Sequence, residues 1–245
     1  MSDALTRLTD VLQNSDNIVF FGGAGVSTES GIPDFRSEDG LYNMKYKYPP
    51  ETIISHSFFM KNPSEFYRFY RDKMLHPHAM PNDAHLALAA LERHGKLKAI
   101  VTQNVDGLHH KAGSVNVLEL HGSRGRYYCM DCGKNYTMAV VLESEDIPTC
   151  SCGGTIRPDV VLFEEGLDQN VIERSVQAIR NADVLIIGGT SLNVYPAAGL
   201  IQYYRGDKLI LINKGATSYD GKADLIIREN IGETLGAAVR AIGLM

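Results

Sequence analysis

The feature that most limits how this chain can fold is a series of short, strand-like, mostly apolar runs. Ile18-Val19-Phe20-Phe21 is the first and is wholly apolar, and strand-like runs recur at residues 98–102, 115–120, 184–187, 209–212 and 224–227. Short runs dominated by apolar residues suit strands buried in a sheet. Between them lie stretches with helical spacing of apolar residues, at 3–14 (Leu5, Leu8, Val11 and Leu12 on one face), 64–75, 83–94, 170–181 and 232–242. Buried strands alternating with helices predict an α/β fold, a mostly parallel sheet with helices on both faces. The length of 245 residues allows one large domain, or a core with a small satellite. Two segments break the rhythm. Residues 36–62 have weak periodicity, and residues 125–157 are turn-rich, hold all four cysteines and read as an inserted module.

Charge and hydropathy remove several classes. A net charge of -5 argues against a nucleic-acid-binding domain, which would carry a basic excess. No segment approaches the run of about eighteen apolar residues that a membrane helix needs. The N-terminal Met-Ser-Asp-Ala-Leu-Thr-Arg has no basic segment followed by an apolar one, so a secretory signal is not expected. The expectation is a cytoplasmic protein, whose cysteines serve as metal ligands or free thiols in preference to disulfides.

Polar chemistry gathers at the strand ends, where open parallel sheets bind their ligands. The first strand runs into Gly22-Gly23-Ala24-Gly25-Val26-Ser27-Thr28, a turn that lets backbone approach a pyrophosphate at a helix N-terminus. The pattern departs from an ordinary dehydrogenase. Thr28 stands at the third glycine, and no second strand ends in an acidic residue about twenty positions on. Instead come Pro33, Phe35 and Arg36, a stiffener, an apolar plug and a phosphate partner. Later strands end in Gln103-Asn104-Val105-Asp106, His121-Gly122, Gly188-Gly189-Thr190-Ser191 and Asn213. Four such endings with the glycine turn point to a nucleotide site. Among the eight histidines, His76, His78 and His94 read as solvated, His85 as a first-turn residue, and His109 and His110 stay ambiguous. His121 directly ends an apolar strand and can act as a base near neutral pH.

Cys129-Met130-Asp131-Cys132 and Cys150-Ser151-Cys152 are separated by seventeen residues. Paired cysteines at this spacing point to a four-cysteine zinc site, with Gly153-Gly154 easing the shorter second pair. Four protein ligands close the metal's coordination, so the zinc is structural.

In order and spacing, the glycine turn, Ser30-Gly31-Ile32-Pro33-Asp34-Phe35-Arg36, Thr102–His109, His121-Gly122, the cysteine pairs, Gly189-Thr190-Ser191 and Ile212-Asn213 resemble the sirtuin family over nearly the whole chain. The resemblance is to a compact bacterial-type member. It implies a Rossmann-like NAD-binding domain (1–35, 76–124 and 158–245) and a smaller zinc-containing domain (36–75 and 125–157). It also implies an NAD-dependent protein-lysine deacetylase that consumes NAD, releases nicotinamide and moves the acyl group to ADP-ribose. His121 would be the general base acting on a ribose hydroxyl, and Asn104 would hold the ribose and a water. Val105 and Asp106 would grip the carboxamide. Phe35 would shield the reactive carbon, and Arg36 would meet phosphate or ribose. Ala24, Thr28, Gln103, Thr190, Ser191, Asn213 and Ile231 would contact the rest of the dinucleotide. Acetylated-lysine proteins or peptides would be the partners, with Val160, Phe163, Tyr67 and Tyr70 as substrate-binding residues and no nucleic acid or membrane involved.

Two departures shape the remaining expectations. Glu164 replaces the glycine expected in the substrate segment 157–165: a left-handed backbone there would cost a glutamate roughly 1 to 2 kcal/mol, whereas ordinary geometry, the favoured reading, would leave its side chain free to read a basic peptide residue. Members that remove succinyl groups carry tyrosine and, three residues on, arginine; here Tyr67 is followed by Tyr70, with Arg68 and Arg71 expected to point elsewhere, which favours uncharged acyl groups. The competing readings are an ADP-ribosyltransferase of the same family, a nicotinamide-dependent oxidoreductase and a zinc-ribbon nucleic-acid-binding protein. The oxidoreductase leaves the Gln103–His109 segment unexplained, and the zinc ribbon explains only the cysteines.

Overall fold

The computed structural model describes residues 3–35, 40–43 and 46–245. Helix α1 (Asp3–Gln13) leads into β1 (Ile18–Gly22), whose five residues are all buried. Three short helices follow, α2 (Pro50–Ile53), α3 (His56–Lys61) and α4 (Pro63–Phe69), and a π-helical turn at Tyr70–Met74 extends the last. Next come α5 (Asp83–Arg93), β2 (Leu97–Thr102), α6 (Leu108–Lys111), β3 (Val117–Glu119), β4 (Gly122–Cys129) and β5 (Asn135–Tyr136). The chain ends with α7 (Ala139–Leu142), β6 (Ile156–Val160), α8 (Gln169–Asn181), β7 (Val184–Gly188), β8 (Lys208–Ile212), β9 (Leu225–Ile227) and α9 (Ile231–Ala241).

Six strands form a parallel sheet in the order β3-β2-β1-β7-β8-β9. The order reverses direction at β1, the switch point where such sheets open a crevice at their C-terminal edge. Alternate residues of each strand feed opposite faces. Phe20, Ile100, Ile186 and Ile210 pack under α1, α5 and α9, with Leu8, Leu88 and Leu235. Val19, Phe21, Leu185 and Ile187 pack under α8 and the 3-10 segment Ala197–Tyr203. Each large side chain so buried contributes roughly 1.5–3 kcal/mol. The helix ends are secured by side chains: Asn82 accepts from the Ala84 N–H (2.9 Å) and Asp168 from the Asn170 N–H (2.8 Å).

A third core lies beside the sheet. It joins Ile53, Phe58, Phe59, Phe66, Tyr67 and Tyr70 to Tyr127, Val141 and Ile156. Its framework is the antiparallel sheet β5-β4-β6. The divisions expected at 124/125 and 157/158 fall within β4 and β6, which lead from the C-terminal edge of the parallel sheet into the cysteine module, with a bulge in their pairing between Ser123 and Tyr127. Among the described residues no helix is long and apolar enough to cross a membrane.

Candidate active site and metal centre

A cavity of about 780 Å³ opens at the C-terminal ends of β1, β2, β7 and β8, between the parallel sheet and the third core. The glycine turn forms one wall with Ala24 and Thr28, and Phe35 covers it from the following loop. Two strand-end turns meet here face to face. The Gly25 N–H donates to Gly189 O (2.8 Å), and a Cβ on Gly25 would stand 2.8 Å from Gly189 Cα, so only glycine permits the contact. The expected helix after the glycine turn is replaced by two single 3-10 turns, Ala24–Val26 and Thr28–Ser30. Gly31 ends them with φ 78°, which swings the chain toward Phe35 and over the cavity.

The loop after β2 supplies Gln103, Asn104, Val105 and Asp106 to the opposite wall. Asn104, largely buried, donates from Nδ2 to Ser27 Oγ (3.1 Å), and the Ser27 hydroxyl donates in turn to Asp106 Oδ2 (2.6 Å). The Leu108 N–H holds the other Asp106 oxygen at 2.8 Å. Gln103 Nε2 reaches Thr190 Oγ1 (3.1 Å) across the sheet edge, beside Ser191. Asn213 after β8 and Ile231 at the start of α9 complete the far end. Glu29 ties that end to the glycine turn by accepting from the Gly232 N–H (2.7 Å).

His121 sits where β4 leaves the sheet edge and lines the same cavity. Its Nδ1 lies 2.9 Å from Gln103 O. A carbonyl can only accept, so Nδ1 carries the proton and Nε2 keeps its lone pair. Burial pushes the imidazole pKa below its ordinary value, partly offset by that bond. The ring is therefore neutral near pH 7, the form a general base needs.

The third wall is the segment after β6. Val160 and Phe163 line the cavity, and Phe163 remains 40 % exposed at its mouth. Glu165 anchors this segment through a two-pronged pair with Arg157 (2.8 and 3.0 Å), the Leu162 N–H and His56. Burial raises its carboxyl pKa, but these partners prevail and draw it down to about 2. Glu164 corrects an expectation. Its backbone is left-handed, φ 76°, and its carboxylate accepts from the Ser57 N–H (2.8 Å) and Oγ (3.0 Å), so it is not left free.

Tyr70 lines the cavity, but Tyr67 does not. Tyr67 is fully buried, packed on Phe59 and Phe66, and its hydroxyl is spent on the Ile156 carbonyl. It is a core residue because α4 turns that face inward, against β6. Arg68 pairs with Glu65, and Arg71 with the Val141 carbonyl and Ser144, so both point away as expected. Arg36 lies outside the described residues. Three residues overlooked in the sequence also line the cavity, Ser27, His76 and Arg124. Ser27 was legible as part of the glycine turn. His76 is half-buried in the cavity wall, where burial and the nearby Arg124 charge hold its pKa below the usual value. Arg124 carries no local signal of its role.

The four cysteines converge away from the cavity. Their sulfurs all lie within 4.8 Å of one another, with Cys129–Cys152 at 3.5 Å and Cys132–Cys150 at 3.6 Å. Tetrahedral zinc with Zn–S bonds of about 2.3 Å places sulfurs about 3.8 Å apart, so the set fits zinc and is too wide for disulfides. Gly153 takes φ 92° to close the short second pair, and a Cβ on Gly154 would stand 2.7 Å from Cys129 Sγ. Tyr136 donates to Cys150 Sγ at 3.0 Å, steadying a ligand from outside.

Comparison with known proteins agrees with this geometry. The Sir2 family profile matches residues 23–196. An NAD-dependent protein deacetylase of Clostridium perfringens is 59% identical over 243 residues, covering 98% of this chain and 100% of that protein. One from Staphylococcus aureus (strain COL) is 44% identical over 233 residues, covering 94% and 96%. Among solved structures, Sir2 with a p53 peptide and NAD+ superposes with TM-score 0.88 at 39% identity, over 100% of both chains. Sir2 with a deacetylated p53 peptide and 3′-O-acetyl-ADP-ribose gives 0.89 at 40%, over 98% and 99%. Likeness of this extent, in sequence and in three dimensions, makes the chain a member of the Sir2 family.

Proposed function

We propose that this protein is an NAD-dependent deacetylase of lysine side chains, acting on acetylated proteins or peptides in the cytoplasm. The observation that carries the reading is one cavity lined both by the strand-end residues suited to a dinucleotide and by the exposed edge after β6 suited to a peptide. The lysine amide and the nicotinamide glycosidic bond break, an ester to ribose forms, one water is consumed, and the positive charge of NAD ends on the lysine ammonium.

Each residue then has a role. Ala24, Thr28, Gln103, Thr190, Ser191, Asn213 and Ile231 hold the dinucleotide, with Arg36 beside phosphate or ribose. Asn104, kept in place by Ser27, orients the ribose. Val105 and Asp106 hold the carboxamide. Phe35 excludes water from the sugar carbon as it gains positive charge. His121 receives a ribose hydroxyl proton at Nε2. Val160, Phe163 and Tyr70 flank the acyl-lysine, so two reactants share one oriented site, which is worth roughly 7 to 11 kcal/mol of barrier. The two domains would part near residues 35, 75, 125 and 157, with zinc stabilising the smaller.

The test is incubation with NAD and an acetyl-lysine peptide, followed by mass spectrometry. Nicotinamide, free lysine peptide and acetylated ADP-ribose are expected in equal amounts. ADP-ribose attached to protein would indicate a transferase instead, and NADH an oxidoreductase.

A further inference from the structure

The segment that follows β1 reaches the cavity with little of its own to hold it. Its two single 3-10 turns are closed by a few backbone bonds, among them Ser27 N–H to Ala24 O and Gly31 N–H to Thr28 O, 3.0 Å each. Single turns are marginal alone, because fixing the first turn of a helix costs more than its one bond offsets. Side chains from elsewhere in the fold hold the segment on two sides. Asn82, at the start of α5, donates from Nδ2 to Val26 O (2.8 Å) and Ser30 Oγ (3.0 Å). On the other side Glu29 reaches α9, 203 residues further along the chain, and accepts from the Gly232 N–H.

This second tie stands in for a local cap. Asn230 holds the N-cap position of α9, where an asparagine side chain ordinarily accepts from the second or third helical amide, yet it makes no such bond. Gly232 is the second helical residue, and Glu29 takes its amide instead. The fit needs glycine, since a Cβ on Gly232 would stand 2.5 Å from Glu29 Oε2. The carboxylate also lies at the positive end of an eleven-residue helix. Thr28 on one side of this bond and Asn230 and Ile231 on the other all line the cavity. We propose that Glu29 is a positioning residue for the cofactor, holding the glycine turn and the start of α9 at the spacing that the ADP half of NAD bridges. The inference rests on the dinucleotide site proposed above. Walls fixed before binding need not be ordered during it, so the tie acts on cofactor binding and not on the chemical step.

The experiment measures ADP-ribose binding by calorimetry, and KM for NAD and for an acetyl-lysine peptide. The proteins are wild type, Glu29→Ala, Glu29→Gln, Gly232→Ala and the double variant Glu29→Ala/Gly232→Ala. Wild-type binding of ADP-ribose is the control: its absence refutes the dinucleotide site and this inference with it, whereas binding that Glu29→Ala leaves unchanged refutes the tie alone. Glu29→Ala is expected to raise the ADP-ribose Kd and the NAD KM about three- to tenfold, with kcat and the peptide KM little changed. Glu29→Gln keeps an acceptor oxygen and should recover part of the loss. Gly232→Ala pushes the carboxylate off the amide, so it should reproduce the effect of Glu29→Ala. With no carboxylate to displace, the double variant should match Glu29→Ala alone. Additive losses in the double variant, an unchanged Kd in Glu29→Ala, or equal rises in the NAD and peptide KM would overturn the proposal.

Discussion

At the scale of single residues, two side chains combine sequence identity with an environment that gives it meaning. His121 is one histidine of eight, set apart by the Gln103 carbonyl that fixes its tautomer and by burial that lowers its pKa from 6.5. Because the folded value lies below the ordinary one, the basic form persists to lower pH, and activity falls only as pH drops through that depressed value. The acid limb of kcat/KM is therefore expected below pH 6.5. His121→Ala should lose about 10²- to 10⁴-fold in turnover. A limb above the ordinary histidine value, or near-normal turnover in the variant, would remove His121 from the role. Glu164 pairs a left-handed backbone with two hydrogen bonds to Ser57. Replacing it with Gly relieves strain but loses the bonds; replacing it with Ala loses the bonds and keeps the strain. Glu164→Ala should thus be less stable than Glu164→Gly by about 1–2 kcal/mol, measured by urea unfolding. Equal stabilities would mean that the strain is not borne by the fold.

At the scale of elements, β4 links the two halves of the chemistry. It starts beside His121, carries Arg124 and ends at Cys129, so the metal module is an extension of the cleft wall. Structural zinc contributes on the order of 10 kcal/mol to small modules, more than a turn-rich segment can gather from its own packing. Cys129→Ala is expected to drop zinc well below one atom per chain and to loosen the third core before the parallel sheet. Elemental analysis and hydrogen exchange would check this. Full zinc occupancy in the variant, or equal exchange protection in both cores, contradicts it.

At the scale of the whole molecule, the cavity depends on three separately built walls, so a ligand that touches all of them should tie them together. NAD or ADP-ribose at about a hundred times its Kd should stabilise the fold by about 2.7 kcal/mol. A thermal melt with either ligand measures this, and no upward shift would show that the cavity does not bind the dinucleotide.

The parallel sheet, the polar strand ends, His121 and the four cysteines could all be read from the chain alone. Strand burial shows as short, mostly apolar runs, and ligand sites in open sheets follow from where those runs end. What the tertiary structure decided were contacts between segments far apart in sequence. Ser57 meets Glu164, Ile156 takes the Tyr67 hydroxyl, and Met74 receives Arg124. Helical spacing marks an aromatic face on α4 but not its neighbour, and where the family resemblance points Tyr67 to the cleft, β6 covers it and takes its hydroxyl. Local periodicity records whether a residue is buried. Which group it is buried against depends on how β4, β6 and the π-helical turn pack, and no short stretch of sequence contains that information.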